Sequence, residues 1–327
     1  MSVTFILQQA IVYMIPLLIV ALAGVFSERS GIINLALDGE MIFGAFIGAI
    51  VCYFFGEKGI LPYDSQWLFI ICMLVSMVSG ALFSLLLSFA AVKMKADQTI
   101  AGTALNTLAP AIVCAFSLLL FNQEKVVTQG NFVLLSKNYS PSFAQAVESN
   151  AVLGFFFNSV YLSTYICILL FILLSIWLYK SKTGAHLRAC GEHPQAADSV
   201  GINVYRMRYL GTTISGALAG LGGFVYIATV AGTTAENTVG GMGFLALAIM
   251  IFGNWNPLLI FFGSFFFGFL RCLGVISPFI PFLAKLNLPM YFYNMLPFVI
   301  VILVLIISRK KSGCPKAEGI PYDKGQR

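Results

Sequence analysis

The chain has 327 residues, of which 59% are hydrophobic and only 10% charged, with a formal net charge of +6 at pH 7. A soluble domain carries about 25% charged residues, so a solvated globular surface is excluded and nucleic acid is not an expected partner. In lipid the backbone satisfies itself only in helices or closed barrels. Long apolar runs, rather than ten-residue alternations, select helices. The sequence therefore reads as an all-α, polytopic integral membrane bundle.

Nine spans are predicted, at 5–25, 33–55, 67–92, 98–121, 160–179, 209–231, 240–253, 257–276 and 291–308. The first lacks a basic flank and a small-residue cleavage site, so it is read as a retained helix rather than a signal peptide. Gly44 with Gly48, and Gly216 with Gly220, have the small-xxx-small spacing through which membrane helices approach closely. The run 210–226 is rich in Gly, Ala, Ser and Thr and is predicted to lie centrally. Trp67 and Trp177 fall near span ends, as an aromatic belt requires. Arg271 sits near one end of its span and is expected to snorkel. The polar segment 122–150, with the turn signal Tyr139-Ser140-Pro141, reads as an extracytoplasmic loop; a lid or a dock for a binding protein is the alternative.

Lys and Arg concentrate on the cytoplasmic side of membrane proteins. With the C-terminal tail inside, the inner segments hold 14 of the 19 basic residues, the outer loops hold Lys58, Lys125, Lys137 and Lys285, and Arg271 stays within a span. The expected orientation is N-terminus out, C-terminus in. The domain reading is one transmembrane unit over 1–308, with a basic cytoplasmic tail over 309–327.

The seven cysteines form no CxxC pair. Those in apolar runs behave as small hydrophobes, so no metal, disulfide or cofactor is expected. No GxxxxGK followed by Ser or Thr, no HExxH and no GxSxG occurs. The chain is not read as an enzyme, and any ATP hydrolysis belongs to a separate subunit. His186 and His193 lie in the basic segment 180–208 and are read as solvated or interfacial rather than catalytic.

Polar groups within spans are expensive in lipid and tend to face a bundle interior or a wet cavity. Asn34, Asp38 and Glu40 fall at the start of the second span. Gln98, Thr99, Thr103, Asn106 and Thr107 lie in the fourth, and Thr99, Thr103, Asn106 and Thr107 share one helical face. This stripe is the candidate pore lining, with interhelical hydrogen bonding as the rival reading. Glu28-Arg-Ser-Gly31 is faintly echoed by Glu236 and the glycines that follow it, and the span after Glu236 is short. Such matching interruptions point to discontinuous helices at a transport site, with 27–40 dipping into the membrane. Asn34, Gln98, Thr99, Thr103, Asn106, Thr107 and Glu236 are thus the candidate translocation-path residues.

The longest basic interruption is 180–208. Pro194 suits a first helical position and Gly201 the left-handed residue beyond a helix end. The helix between them, 194–200, has about two turns, far below the roughly 20 residues a bilayer needs. Ala196, Ala197 and Val200 are predicted to share one face. It is either a plain connector or a docking element for a soluble partner.

The run GEHPQAADSVGIN at 191–203 resembles the cytoplasmic coupling-helix motif of bacterial ABC importer permeases of the branched-chain amino acid, sugar and nucleoside family. SERSGIINLALDGEMIFGA at 27–45, ADQTIAGTALN at 96–106 and GGMGFLALAIMIFGNWNP at 240–257 are similar as well, so the resemblance spans nearly the whole chain. It is closest to the nucleoside and riboflavin branch, and it implies that 1–308 is a permease domain in a bacterial cytoplasmic (inner) membrane. The resemblance implies coupling to an ATPase through Gly191, Glu192, Pro194, Ala196, Ala197, Val200 and Gly201. It implies three protein partners: a cytoplasmic ABC ATPase, a second permease that is related or identical, and an extracytoplasmic substrate-binding lipoprotein. This chain would form half of the path for a small neutral solute, foremost a nucleoside; riboflavin, a sugar or a branched-chain amino acid fits the same pattern. An ion-coupled secondary transporter is the runner-up, but it needs an acidic relay that the spans lack. A membrane enzyme would need a cluster of His, Asp or Glu at one face, and none is found.

Overall fold

The computed structural model describes residues 3–134, 140–277, 285, 289–307 and 313–325. In chain order it contains α1 (Val3–Arg29), α2 (Leu37–Glu57), α3 (Gln66–Ser88, prolonged by a π turn at Phe89–Lys93) and α4 (Gln98–Phe121). Then come β1 (Val126–Val127), β2 (Val133–Leu134), α5 (Pro141–Ser149), α6 (Ala151–Phe157), β3 (Val160–Tyr161) and α7 (Leu162–Lys180). The second half holds α8 (Lys182–Glu192), α9 (Pro194–Ser199), α10 (Val204–Thr229), β4 (Thr234–Ala235), α11 (Met242–Phe252), α12 (Pro257–Ile276) and α13 (Met290–Ile307). Each of the nine expected segments contains a helix among its described residues, although 33–36 and 160–161 are not helical. Among the described residues, 7 helices are long and apolar enough to cross a membrane, and α11 is one of the shorter ones.

Local signals set several boundaries. The Asp97 carboxylate accepts from the Thr99 and Ile100 N–H groups at 2.8 and 3.1 Å, opening α4, as an N-cap should. Asn122, at φ 54°, closes it in the left-handed conformation. Asn256 caps α12 through the Leu258 N–H at 3.0 Å, with Pro257 in the first turn. Ser181 separates α7 from α8 by accepting from the Gly184 N–H at 3.0 Å.

A helix that is apolar all round belongs inside a bundle. In α1 the most apolar window is 89% buried, against 72% for α10 and only 22% for α4. The centre is therefore shared by α1 and α10, and the outward face of α4 meets lipid or another chain. Lipid gives helices no hydrophobic reason to associate, so close packing must do it. A Cβ on Gly44 would lie 2.3 Å from the Gly220 Cα, and one on Gly80 would lie 2.2 Å from the Gly216 carbonyl oxygen. Small residues here let α2, α3 and α10 pack backbone to backbone.

One end of the bundle carries α8, α9 and most of the described basic residues; it is called the basic end below. At the other end, the described residues of the segment 122–150 form short strands and a helix rather than a plain polar loop. β1 pairs with β4, Val126 opposite Ala235, and β2 pairs with β3, Val133 opposite Tyr161. The Ser140-Pro141 signal starts α5 rather than a turn. The reason is that proline fixes φ near the helical value and leaves no N–H unsatisfied in a first turn. Tyr139 lies outside the described residues.

Candidate functional site

Two helices start inside the bundle, and their first turns meet. After α1 ends at Arg29, residues 30–36 run without helix into the interior. Side chains hold this peptide at successive depths. The Gln98 Oε1 accepts from the Ile33 N–H at 2.8 Å. Asn34 Oδ1 accepts from the Ala36 N–H at 3.0 Å. Asn106 Oδ1 accepts from the Gly39 N–H at 2.7 Å, and its Nδ2 donates to the Leu35 carbonyl at 2.6 Å. Asn106 lies about 12 Å above Gln98 at 1.5 Å per residue, so α2 begins well inside the bundle.

The first turn of α11 arrives at the same level from the other half of the chain. The Gly243 N–H donates to Asp38 Oδ1 at 2.8 Å. A Cβ on Gly243 would sit 2.4 Å from the Asp38 nitrogen. From Gly243 to the end of α11 is about 14 Å by the same rise, and that end turns at Trp255, whose Nε1 donates to Glu28 Oε2 at 2.6 Å. The two depths agree although they are counted along different helices from the basic end. Two helix N-termini, each carrying a partial positive charge, thus share the Asp38 carboxylate. Beside them Arg271 donates to the Gly240 carbonyl at 2.5 Å and lies over the Phe298 ring, 5.3 Å from its centroid.

Of the seven candidate path residues, the fold brings three to this junction. Asn34 is fully buried, and its Nδ2 donates to both Glu40 oxygens at 3.0 and 3.2 Å and to Ser215 Oγ at 2.9 Å. Gln98 and Asn106 brace the ascending peptide. Thr99, Thr103 and Thr107 instead lie on the exposed side of α4. The Thr103 and Thr107 hydroxyls donate to carbonyls of their own helix, those of Thr99 at 3.0 Å and Thr103 at 3.1 Å. Glu236 is on the opposite end, 3.8 Å from the Lys125 ammonium. Asn106 therefore turns away from the threonine stripe, because α4 presents it to α2.

A second cluster forms at the basic end. Helix α9 stops at Ser199, one residue short of the expected Val200, and Gly201 follows at φ +87°. Gly191 packs against the end of α1, where a Cβ would lie 2.4 Å from the Arg29 carbonyl oxygen. Arg29 and Glu192 form an ion pair at 3.5 Å. Pro194 and Ala197 are buried, whereas Ala196 and Val200 are exposed, Val200 to 75%. The expectation that Ala196, Ala197 and Val200 share one outward face is thus corrected. Ala197 packs with Cys190, Val204 and Tyr322 of its own chain, and only Ala196 and Val200 remain available outside.

The partner in that packing, Tyr322, belongs to a strap, where the sequence alone indicates only a basic tail. Residues 313–325 cross the basic end and bond to several of its connections. The Ala317 N–H donates to the Gly191 carbonyl at 2.9 Å, and the Gly319 N–H to the Gly31 carbonyl at 3.3 Å. Arg208, fully buried, donates to the Ile320 carbonyl at 3.0 Å. Lys95 pairs with Asp323 at 2.6 Å, and Lys324 with Asp198 at 3.7 Å. Burial raises the Glu318 carboxyl above the usual range, against hydrogen bonds from Cys314 and Glu28 and the nearby Arg29, which lower it. By charge alone Arg208 belongs to the basic loop, and nothing in its local sequence signals a buried strap contact.

The arrangement of interior helix starts over a punctuated basic segment covers nearly the whole chain, and so does the family match. Residues 6–305 match the model described as the permease component of the branched-chain amino acid transport system. The chain belongs to this permease family. It is 38% identical to the guanosine ABC transporter permease protein NupQ of Bacillus subtilis (strain 168), over 99% of this chain and 98% of that protein. It is 36% identical to the nucleoside ABC transporter permease protein NupC of Lactococcus lactis subsp. cremoris (strain MG1363), with the same coverage. A second permease of that strain, the nucleoside ABC transporter permease protein NupB, is 22% identical over 78% of this chain and 68% of its own length. No solved structure matches the chain. The permease is a multi-pass helical membrane protein, and the junction and the strap are features of that family member.

Proposed function

We propose that the permease forms half of the path by which an ABC importer takes up nucleosides. The observation that carries this reading is full-length likeness, at 36–38% identity, to proteins named as guanosine and nucleoside permeases. The exposed threonine stripe agrees with a neutral, hydrogen-bonding solute, since its hydroxyl oxygens still accept without carrying charge.

The basic end faces the cytoplasm in this reading, supported by the distribution of Lys and Arg. There α9, with Ala196 and Val200 outward, docks on a separate ATPase that hydrolyses the nucleotide; Gly191, Glu192, Pro194, Ala197 and Gly201 shape and seat the segment. The opposite end, with Glu236 and Lys125, receives a substrate-binding lipoprotein. The second permease is a related but different chain, a reading supported by the two Lactococcus permeases, which match this chain unequally. The path runs where the exposed stripe of Thr99, Thr103 and Thr107 meets that partner, with Asn34, Gln98 and Asn106 holding the junction behind it. ATP binding would favour one arrangement of the bundle over another, a two-state coupling between distant sites.

Uptake of radiolabelled guanosine in a strain lacking this gene tests the substrate. Restoring the gene is expected to restore uptake, and unlabelled adenosine or cytidine to compete, while ribose, leucine and riboflavin do not. Competition by riboflavin, ribose or leucine but not by nucleosides would overturn the assignment.

A further inference from the structure

A groove of about 560 Å³ opens at the basic end between the last turn of α7 and the first of α12. Among the described residues, those with charge in its lining are Arg29 and Lys180, and none there is acidic. Arg29 pairs with Glu192 at 3.5 Å and also lies near Glu28 and Glu318 behind the wall, while its Nε is buried without a hydrogen-bond partner. The Ser175 hydroxyl, also in the wall, is buried and unpartnered. The rest of the wall is apolar toward the outside: Ile176 is 54% exposed and Leu258 70%. The floor is fixed by the Tyr179 hydroxyl, which donates to the Trp255 carbonyl at 2.6 Å.

The position decides which anion fits. Both α7 and α12 cross the membrane, and the groove lies where each reaches the basic end. Exposed leucine and isoleucine meet hydrocarbon there, and the cations meet the headgroup layer. Basic pockets between membrane helices at such a boundary suit acidic lipid headgroups. A soluble phosphate would use the cations but leave the apolar wall unexplained. We propose that this groove seats an anionic phospholipid, its phosphate between Arg29 and Lys180 and its first acyl carbons against Ile176 and Leu258. Because Arg29 also pairs with Glu192 at the end of α8, the lipid would sit one side chain from the segment proposed to meet the ATPase.

Trp255 lines the groove and is a built-in reporter. The other two tryptophans, Trp67 and Trp177, are replaced by Phe, and the whole transporter complex is placed in nanodiscs. Bromine-labelled phosphatidylglycerol is expected to quench Trp255 at least twofold more than bromine-labelled phosphatidylcholine at equal fraction. Lys180→Gln, at an exposed position, is expected to bring the two lipids toward equality without loss of folded complex. Inorganic phosphate at millimolar concentration is expected to leave the quenching unchanged. Equal quenching by the two lipids, or a preference that survives Lys180→Gln, overturns the proposal. Relief by inorganic phosphate also overturns it, assigning the cations to a soluble anion.

Discussion

Asn106 satisfies two backbone groups of the ascending peptide at once, one by accepting and one by donating. Leucine at this position leaves both without partners, and each unsatisfied buried group costs about 1–3 kcal/mol. Asn106→Leu is expected to lower the midpoint of thermal unfolding by several degrees and to reduce uptake with it. Loss of uptake at an unchanged midpoint would instead place Asn106 in contact with solute. Thr103→Val removes only a hydroxyl bonded to its own helix, and the unfolding midpoint is expected to stay within a degree or two. Two glycines give a cleaner contrast. Gly201 has open space around a would-be Cβ and needs only its positive φ, whereas Gly191 has the Arg29 carbonyl in the way. Gly201→Ala is expected to cost about 1–2 kcal/mol of backbone strain. Gly191→Ala is expected to do more harm, because helix α8 must move off α1; equal losses of stability would contradict this reading. Single residues were legible where their role is local: Pro194, Gly201 and the Asp97 cap declare themselves. Asp38 and Arg208 were not, since their partners lie 205 and 112 residues away.

At the scale of elements, the spans of α4 and α12 were read to the residue because caps at both helix starts are written in the adjacent sequence. The depth at which α2 begins was not, since it depends on Gln98 and Asn106 from another helix. Face assignment in α9 failed for a related reason: a strap from the chain's end covers Ala197. The test of that segment changes accordingly. Ala196→Arg, on the exposed side, is expected to leave the permease folded in the membrane while the ATPase no longer co-purifies. Ala197→Arg is expected to lower membrane levels, because it forces a charge into a packed cluster, and a desolvated unpaired charge is costly. The strap itself carries a pH dependence. Glu318, facing Glu28, Cys314 and Arg29, has its carboxyl raised by burial. A raised acid favours docking most when protonated, so docking is firm below the ordinary carboxylate range and weakens as pH rises through the raised value. Hydrogen exchange in 313–325 is expected to quicken over that range, and Glu318→Gln to flatten the dependence. Exchange that slows with rising pH, after correction for the intrinsic rate, would reverse the sign and refute this account.

For the whole molecule, the claim is that an energy-coupled basic end and a mid-membrane junction belong to one nucleoside importer. Composition and the apolar runs made the helical bundle legible, because lipid leaves the backbone few choices. What remained hidden is which polar groups meet at the centre, since that is decided by packing between halves of the chain. The geometry offers a short mechanical route: Gly191 rests on the end of α1, and α1 leads through residues 30–36 to the start of α2. The most direct measurement is guanosine accumulation by proteoliposomes holding this permease, its partner permease and the ATPase, supplied with the binding protein. Accumulation is expected to require ATP on the side of the ATPase and to stop with Val200→Glu while the permease stays folded. Guanosine uptake that follows an ion gradient, needs no ATPase and is untouched by Val200→Glu would contradict the account.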